Sequence, residues 1–134
     1  VAEQVERYEA SGGTEALTLR DTGLPVIIVT NRGRKTGAIR KTPLMRVVDG
    51  KNYILIASQG GAPKHPLWYH NLKAEPNVEV RDKTEVYAMR VREVVDPAER
   101  EGLWAIAVQA YPPYQDYQTK TDRLIPVFVA EPVE

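Results

Sequence analysis

Asp49-Gly50 lies between two extended runs, Ile39 to Val48 and Asn52 to Ser58. An Asp-Gly pair suits the positive-φ geometry of a two-residue hairpin turn, so these runs are predicted to pair as antiparallel strands. The same reading recurs along the chain. Val26 to Thr30 is an apolar, β-branched run after the Gly23-Leu24-Pro25 break and reads as a buried strand. Val78 to Arg81 and Thr84 to Val95 alternate apolar with polar residues and are predicted to form a second hairpin across Asp82-Lys83, and Ile125 to Ala130 closes the chain as a strand.

Helical segments fall between the strands without regular alternation. Ala2 to Ala10 sets Val5 and Tyr8 three apart, and Ser11-Gly12-Gly13 stops it. Lys64 to Ala74 has Pro66 near its first turn and Trp68 and Leu72 four apart on one face. Asp96, Pro97 and Glu99 supply an N-cap, a first-turn proline and a capping-box acid for a helix running to about Ala110. Tyr111 to Thr121 reads as a tyrosine-rich turn or short helix. Six strands, mostly hairpin-linked, with irregularly inserted helices define an α+β fold. The expected architecture is a partly open antiparallel barrel with helices packed outside.

A chain of 134 residues can bury one real core, and no linker is long enough to divide it, so one domain spanning 1–134 is expected, with 1–17 as a helix and connection. There is no cysteine, which removes disulfides and thiolate metal sites. No apolar run approaches the roughly 18 residues of a membrane span. A cytoplasmic location is expected; a membrane-surface contact through a segment preceding Val1 is left open, as is the choice between monomer and homodimer.

Chemistry concentrates in one place. Lys and Arg together equal Asp and Glu at 18 each, yet Asn31 to Lys41 carries Arg32, Arg34, Lys35, Arg40 and Lys41 with no acid. Gly33 and Gly37 allow a tight bend and close approach to a ligand, while guanidinium groups grip phosphate or carboxylate oxygens in a forked geometry. The stretch reads as an anion grip, against the plainer alternative of a solvated hairpin turn. Arg40 and Thr42 are alternate residues of the next strand and share a face. The spacing matches neither a P-loop nor a dinucleotide fingerprint.

Ser58-Gln59-Gly60-Gly61-Ala62-Pro63 joins a strand to a helix, and glycines there let successive backbone N–H groups face a ligand. His65 and His70 are five apart and do not share a helix face, so no metal site is expected. Ser58 lacks the surroundings of a hydrolase nucleophile. Tyr111, Tyr114 and Tyr117 recur every third residue, forming an aromatic ridge that either covers the core or offers flat surface and hydroxyls to a ligand.

The order of these motifs resembles the deazaflavin-dependent nitroreductase family, within the split β-barrel, flavin-reductase-like group. The resemblance is carried by Gly33 to Gly37, Arg40-Lys41-Thr42-Pro43-Leu44-Met45, Ala57 to Pro63, Pro66 to Leu72, Tyr111-Pro112-Pro113-Tyr114 and Thr121 to Val127. It implies a split barrel that binds coenzyme F420 and passes hydride from the reduced deazaflavin to a small organic acceptor: a quinone, a nitroaromatic or an unsaturated carbonyl compound. It also implies that Arg34, Lys35 and Arg40 hold the phosphate and glutamate tail, with Thr36 and Lys41 as weaker partners. Thr42, Pro43, Leu44 and Met45 would run beside the ring system. Ser58, Gln59, Gly60, Gly61 and Ala62 would meet the ring through backbone donors, with Trp68 and Asn71 supporting the pocket. Tyr111, Tyr114 and Tyr117, with Trp68, would wall the acceptor side, and Ser58 or a tyrosine hydroxyl would hydrogen-bond the reacting oxygen. Two positions depart from the family pattern: Gln59 stands where relatives often carry lysine, and Met45 where the nitroreductase members carry tyrosine. Competing expectations are an FMN-binding or haem-type split barrel, a non-enzymatic F420 carrier, and an anion-binding module for single-stranded nucleic acid, which the balanced total charge disfavours.

Overall fold

The computed structural model describes residues 2–11, 25–32, 37–58, 61 and 64–133. Its elements are α1 (Ala2–Ala10), β1 (Val26–Arg32), β2 (Ile39–Met45), β3 (Val48–Asp49), β4 (Asn52–Ile56), α2 (Leu67–Ala74), β5 (Asn77–Asp82), β6 (Glu85–Glu93), α3 (Pro97–Ala110), α4 (Pro113–Thr119) and β7 (Val127–Pro132). The strands make one antiparallel sheet in the order β2-β1-β5-β6-β7-β4-β3. Both expected hairpins are present: β3 pairs with β4 around Gly50, at φ 64°, and β5 pairs with β6 around Lys83, at φ 57°.

The expected strand Ile39 to Val48 is instead two. Up to Arg46 the chain follows β1, with the Arg46 amide donating to the Pro25 carbonyl at 3.0 Å; at Val47 it changes sides, accepting from the Ile54 amide at 2.9 Å. The two edges of the sheet are therefore consecutive in sequence, which curls it into a half-closed barrel. Pro43 fits within β2 because an edge strand has a side on which no ladder donor is required.

Side-chain alternation gives the sheet two buried faces. Inside lie Ile27, Val29, Tyr53, Leu55, Val80, Met89, Val91, Phe128 and Ala130, closed over by Trp68, Tyr69 and Leu72 of α2. Outside, Ile54, Ile56, Val127 and Val129 pack under Leu103 and Ala107 of α3 and Tyr114 of α4. A smaller outer cluster joins Val26 and Ile28 to Val5 and Tyr8 of α1. Strands buried on both faces read as unbroken apolar runs, as β1 does.

Asp96 caps α3 by accepting the Glu99 amide at 2.9 Å. Glu99 does not close the expected box: its carboxylate takes a two-pronged bond from Arg92 at 2.8 and 2.9 Å, which holds it below the usual carboxylate range. No helix among the described residues is long and apolar enough to cross a membrane.

Candidate functional site

The barrel has two ends. At the upper end meet the β1–β2 turn, the segment from β4 to α2, and α4. Gly37 has φ 72°, and Arg32 donates to its carbonyl at 3.1 Å, so one of the five cations serves to brace the turn itself. Lys41 pairs with Glu9 of α1, which also lies 4.0 Å from Arg81. Arg40 is exposed and, by register, sits opposite Asn31 on the inner face. The Asn31 side chain is 5% exposed, and its Nδ2 has no hydrogen-bond partner among the described residues. A buried amide donor left unpaired is costly and suits a site that receives an acceptor-rich ligand. Gly33, Arg34, Lys35 and Thr36 lie outside the described residues, as do Gln59, Gly60, Ala62 and Pro63.

The expected ring-binding run of β2 is divided by strand alternation. Thr42 and Leu44 share the inner face with Val29 and Ile27, whereas Lys41, Pro43 and Met45 face out. β2 pairs only with β1 among the described strands, so its second backbone edge is left open in the sheet. Met45 packs against the same outer cluster as Tyr111 and Tyr117, while Leu44 joins Trp68 in the inner one. The two faces of β2 thus meet different neighbours, the tyrosine pair outside and Trp68 inside.

Ser58 follows β4 and is buried, at 7% exposure. Its carbonyl accepts from the Gly61 amide at 3.0 Å and from Arg123 Nη2 at 2.6 Å. Arg123 Nη1 donates to the Ala57 carbonyl at 3.1 Å and to His65 Nδ1 at 2.9 Å. Burial, then the charges of Arg123 and His70, lowers the His65 pKa below its ordinary value of 6.5. Gly61 has φ 82°, and a β-carbon there would stand 2.6 Å from the Tyr117 carbonyl oxygen. Glycine is required twice over, for its backbone angle and for the close approach.

The tyrosine ridge divides as well. Tyr111 and Tyr117 are half-buried and share a hydroxyl contact of 3.1 Å; that bond, reinforced by burial, pushes the Tyr111 phenol up to about 12. Tyr114 is 6% exposed, stacked edge-on against Tyr111 at 4.9 Å within the outer core. Three residues at a spacing of three cannot all face a ligand when the helix also has to cover the sheet, and Tyr114 is the one that packs. Trp68 is half-buried, 6.0 Å from the Phe128 ring, and the carbonyl of Asn71 accepts the Glu75 amide at 2.8 Å.

A cavity of about 370 Å³ beside Asn31 is lined by Glu75 and Glu79 as well as Arg32, so its charge does not suit a polyanion. Asn31, His65, Gln118 and Arg123 were not assigned roles from the sequence. Arg123 lies within the motif Thr121 to Val127, but its partners are 58 to 66 residues away, a distance no local pattern reports.

The fold is shared with flavin- and haem-associated barrels: the haem storage protein HutZ of Vibrio cholerae superposes with a TM-score of 0.60 at 12% identity, covering 96% of this chain and 90% of that one. Nearer in sequence is an F420-H2 dependent reductase, FDR-A, with 52% identity and a TM-score of 0.75 over 80% of this chain and 94% of that one. A structure described as a domain-swapped dimer has 48% identity and a TM-score of 0.77, covering 97% and 96%. Among curated relatives, an F420H(2)-dependent quinone reductase of Mycobacterium tuberculosis is 38% identical over 108 residues, 78% of this chain and 72% of its own. The model of the F420H(2)-dependent quinone reductase family matches residues 1–132. The chain belongs to that family.

Proposed function

We infer that the chain is an F420H2-dependent reductase passing hydride to a small-molecule acceptor of the quinone class, between the β2 edge and the Ser58 loop. What supports this reading is the open edge of β2 together with the Ser58 to Gly61 segment, where glycine is required against the Tyr117 backbone. The exposed Arg40 fits a coenzyme rich in phosphate and carboxylate oxygens.

When bound, F420H2 supplies a hydride from a ring carbon. Arg34, Lys35 and Arg40 would hold the anionic tail, with Thr36 as a weaker partner. Thr42 to Met45 and the Ser58–Ala62 segment flank the ring, and Trp68 and Asn71 back the pocket from α2. Tyr111 and Tyr117 face the acceptor. The raised Tyr111 pKa keeps that phenol protonated at neutral pH; within the pair one hydroxyl donates to the other, which leaves one O–H to donate to an acceptor oxygen as that oxygen gains negative charge. Reduction of a quinone to its hydroquinone takes one hydride and one proton, and the phenol pair holds the proton near the oxygen that receives it. Little other acid–base chemistry is asked of the protein; aligning donor and acceptor supplies the rate.

Replacing both grip residues, Arg34→Ala with Lys35→Ala, removes two charge-assisted contacts worth about 1.5–3 kcal/mol each. Fluorescence titration with oxidised F420 is expected to show affinity reduced at least about 100-fold with the melting temperature unmoved. Unchanged affinity would sink the assignment. A homodimer is the proposed assembly, following the relative described as a domain-swapped dimer, and light scattering at micromolar concentration checks it.

A further inference from the structure

We propose that Arg123 is a positioning residue for hydride transfer: its guanidinium fixes the loop that meets the coenzyme ring, and its grip requires a neutral His65 among its acceptors. The proposal rests on the reading of the Ser58 loop as the ring-binding element.

The contacts form a closed circuit. Gln118 of α4 donates to the Arg123 carbonyl at 2.8 Å and accepts the Ile125 amide at 3.0 Å, so the backbone carrying Arg123 is tied to the tyrosine helix. From there the guanidinium reaches the Ala57 and Ser58 carbonyls, at 3.1 and 2.6 Å. Ser58 in turn receives the Gly61 amide at 3.0 Å, and Gly61 rests against the Tyr117 backbone, returning to α4. The loop and the Tyr111–Tyr117 wall are thereby one braced unit. Movement of either displaces both.

The direction of these bonds matters for a ligand. In a trans peptide the C=O and the following N–H point oppositely, so turning the Ala57 carbonyl onto Arg123 turns the Ser58 N–H away from it. A cation behind the loop also polarises the carbonyls it binds, strengthening the donors on their far side. An arginine used only for packing would not need to select consecutive carbonyls.

His65 makes the clamp acid-labile. Arginine only donates, so His65 Nδ1 must be unprotonated to accept its bond at 2.9 Å. The ionisable groups facing His65 are Arg123 from the segment before β7, His70 and Tyr69 from α2, and Glu93 from β6, which itself receives Tyr69 and Lys73. Burial, then the charge of Arg123, outweighs Glu93 and lowers the His65 pKa, keeping it neutral at pH 7. As pH falls below 6.5, the ordinary value, toward the lowered one, protonation replaces an acceptor by a second cation beside Arg123.

The test compares Arg123→Lys, Arg123→Ala and His65→Gln, the last keeping an acceptor that cannot titrate. Single-turnover reduction of menadione by F420H2 is expected to slow about 10–100-fold in Arg123→Ala, the scale of a misaligned reacting pair, and less in Arg123→Lys. The dissociation constant of oxidised F420, set mainly by the cationic turn, is expected to move less than about threefold. Amide exchange at Gly61 in the apo protein is expected to quicken. Wild-type transfer is expected to decline below pH 6.5, and His65→Gln to flatten that decline while retaining the neutral-pH rate. Transfer by Arg123→Ala within twofold of wild type, unaltered Gly61 exchange, or an acid decline that persists in His65→Gln overturns the proposal. If wild-type protein does not bind F420 at all, it is the ring-binding reading that has failed, a result separate from those three.

Discussion

The two ends of the barrel spend their buried polar groups differently. At the lower end Asp82, 9% exposed, receives Arg46 Nε at 2.8 Å and the Tyr53 hydroxyl at 2.6 Å through one carboxylate oxygen. Nearby, Tyr8 donates to the Val26 carbonyl and accepts the Lys83 amide, joining α1 to the β5–β6 turn. These bonds tie strand to strand and strand to helix, even though a cavity of about 470 Å³ opens beside them. At the upper end Arg123 binds loop carbonyls, and the Asn31 amide has no partner within the described fold. A polar group committed to the scaffold reports stability; one that aims a loop, or waits for an acceptor, reports binding.

Three substitutions sharpen or break that contrast. Asp82→Ala at the lower end leaves Arg46 and the buried Tyr53 hydroxyl without their carboxylate, an expected loss of about 2–3 kcal/mol in urea unfolding. F420 affinity per folded molecule should not change; a parallel loss of affinity would erase the distinction between the ends. Gly61→Ala at the upper end forces a left-handed angle and a clash with the Tyr117 backbone, costing about 1–3 kcal/mol locally. Its signature should be a fall in turnover out of proportion to the change in melting temperature. Lys41→Ala breaks only the pair with Glu9, partly solvent-exposed on both sides, and is expected to cost about 0–1 kcal/mol with F420 affinity within threefold. A large loss of affinity there would show that Lys41 leaves Glu9 to join the anion grip.

What could be read from the chain follows from the range of the interactions. α1, α3 and both hairpins were legible because their signals are local: Val5 with Tyr8, Asp96 with Glu99, Asp49-Gly50, Asp82-Lys83. The burial of β4 and β7 on both faces was not, since it depends on α3 packing against their outer face. The partner exchange at Arg46–Val47 left no mark in composition; an extended run looks the same whichever neighbour it pairs with. At the site, local cues marked the cationic turn, the glycine loop and the tyrosines as candidates. They could not tell Tyr114 from Tyr111, because helical spacing specifies neighbours on the ridge and not which of them the sheet claims. Nor could they find Arg123, whose importance arises only when β7 is threaded between β6 and β4.

The switch of pairing at Arg46–Val47 carries a consequence for chain length. One uninterrupted stretch forms both edges of the sheet, so losing a single residue between Arg40 and Val48 would rotate everything past it by half a pleat, sending Val47 inward and Val48 outward. A change of length in this stretch is therefore expected to cost far more than a change of side chain, such as one at Met45, which leaves the register intact.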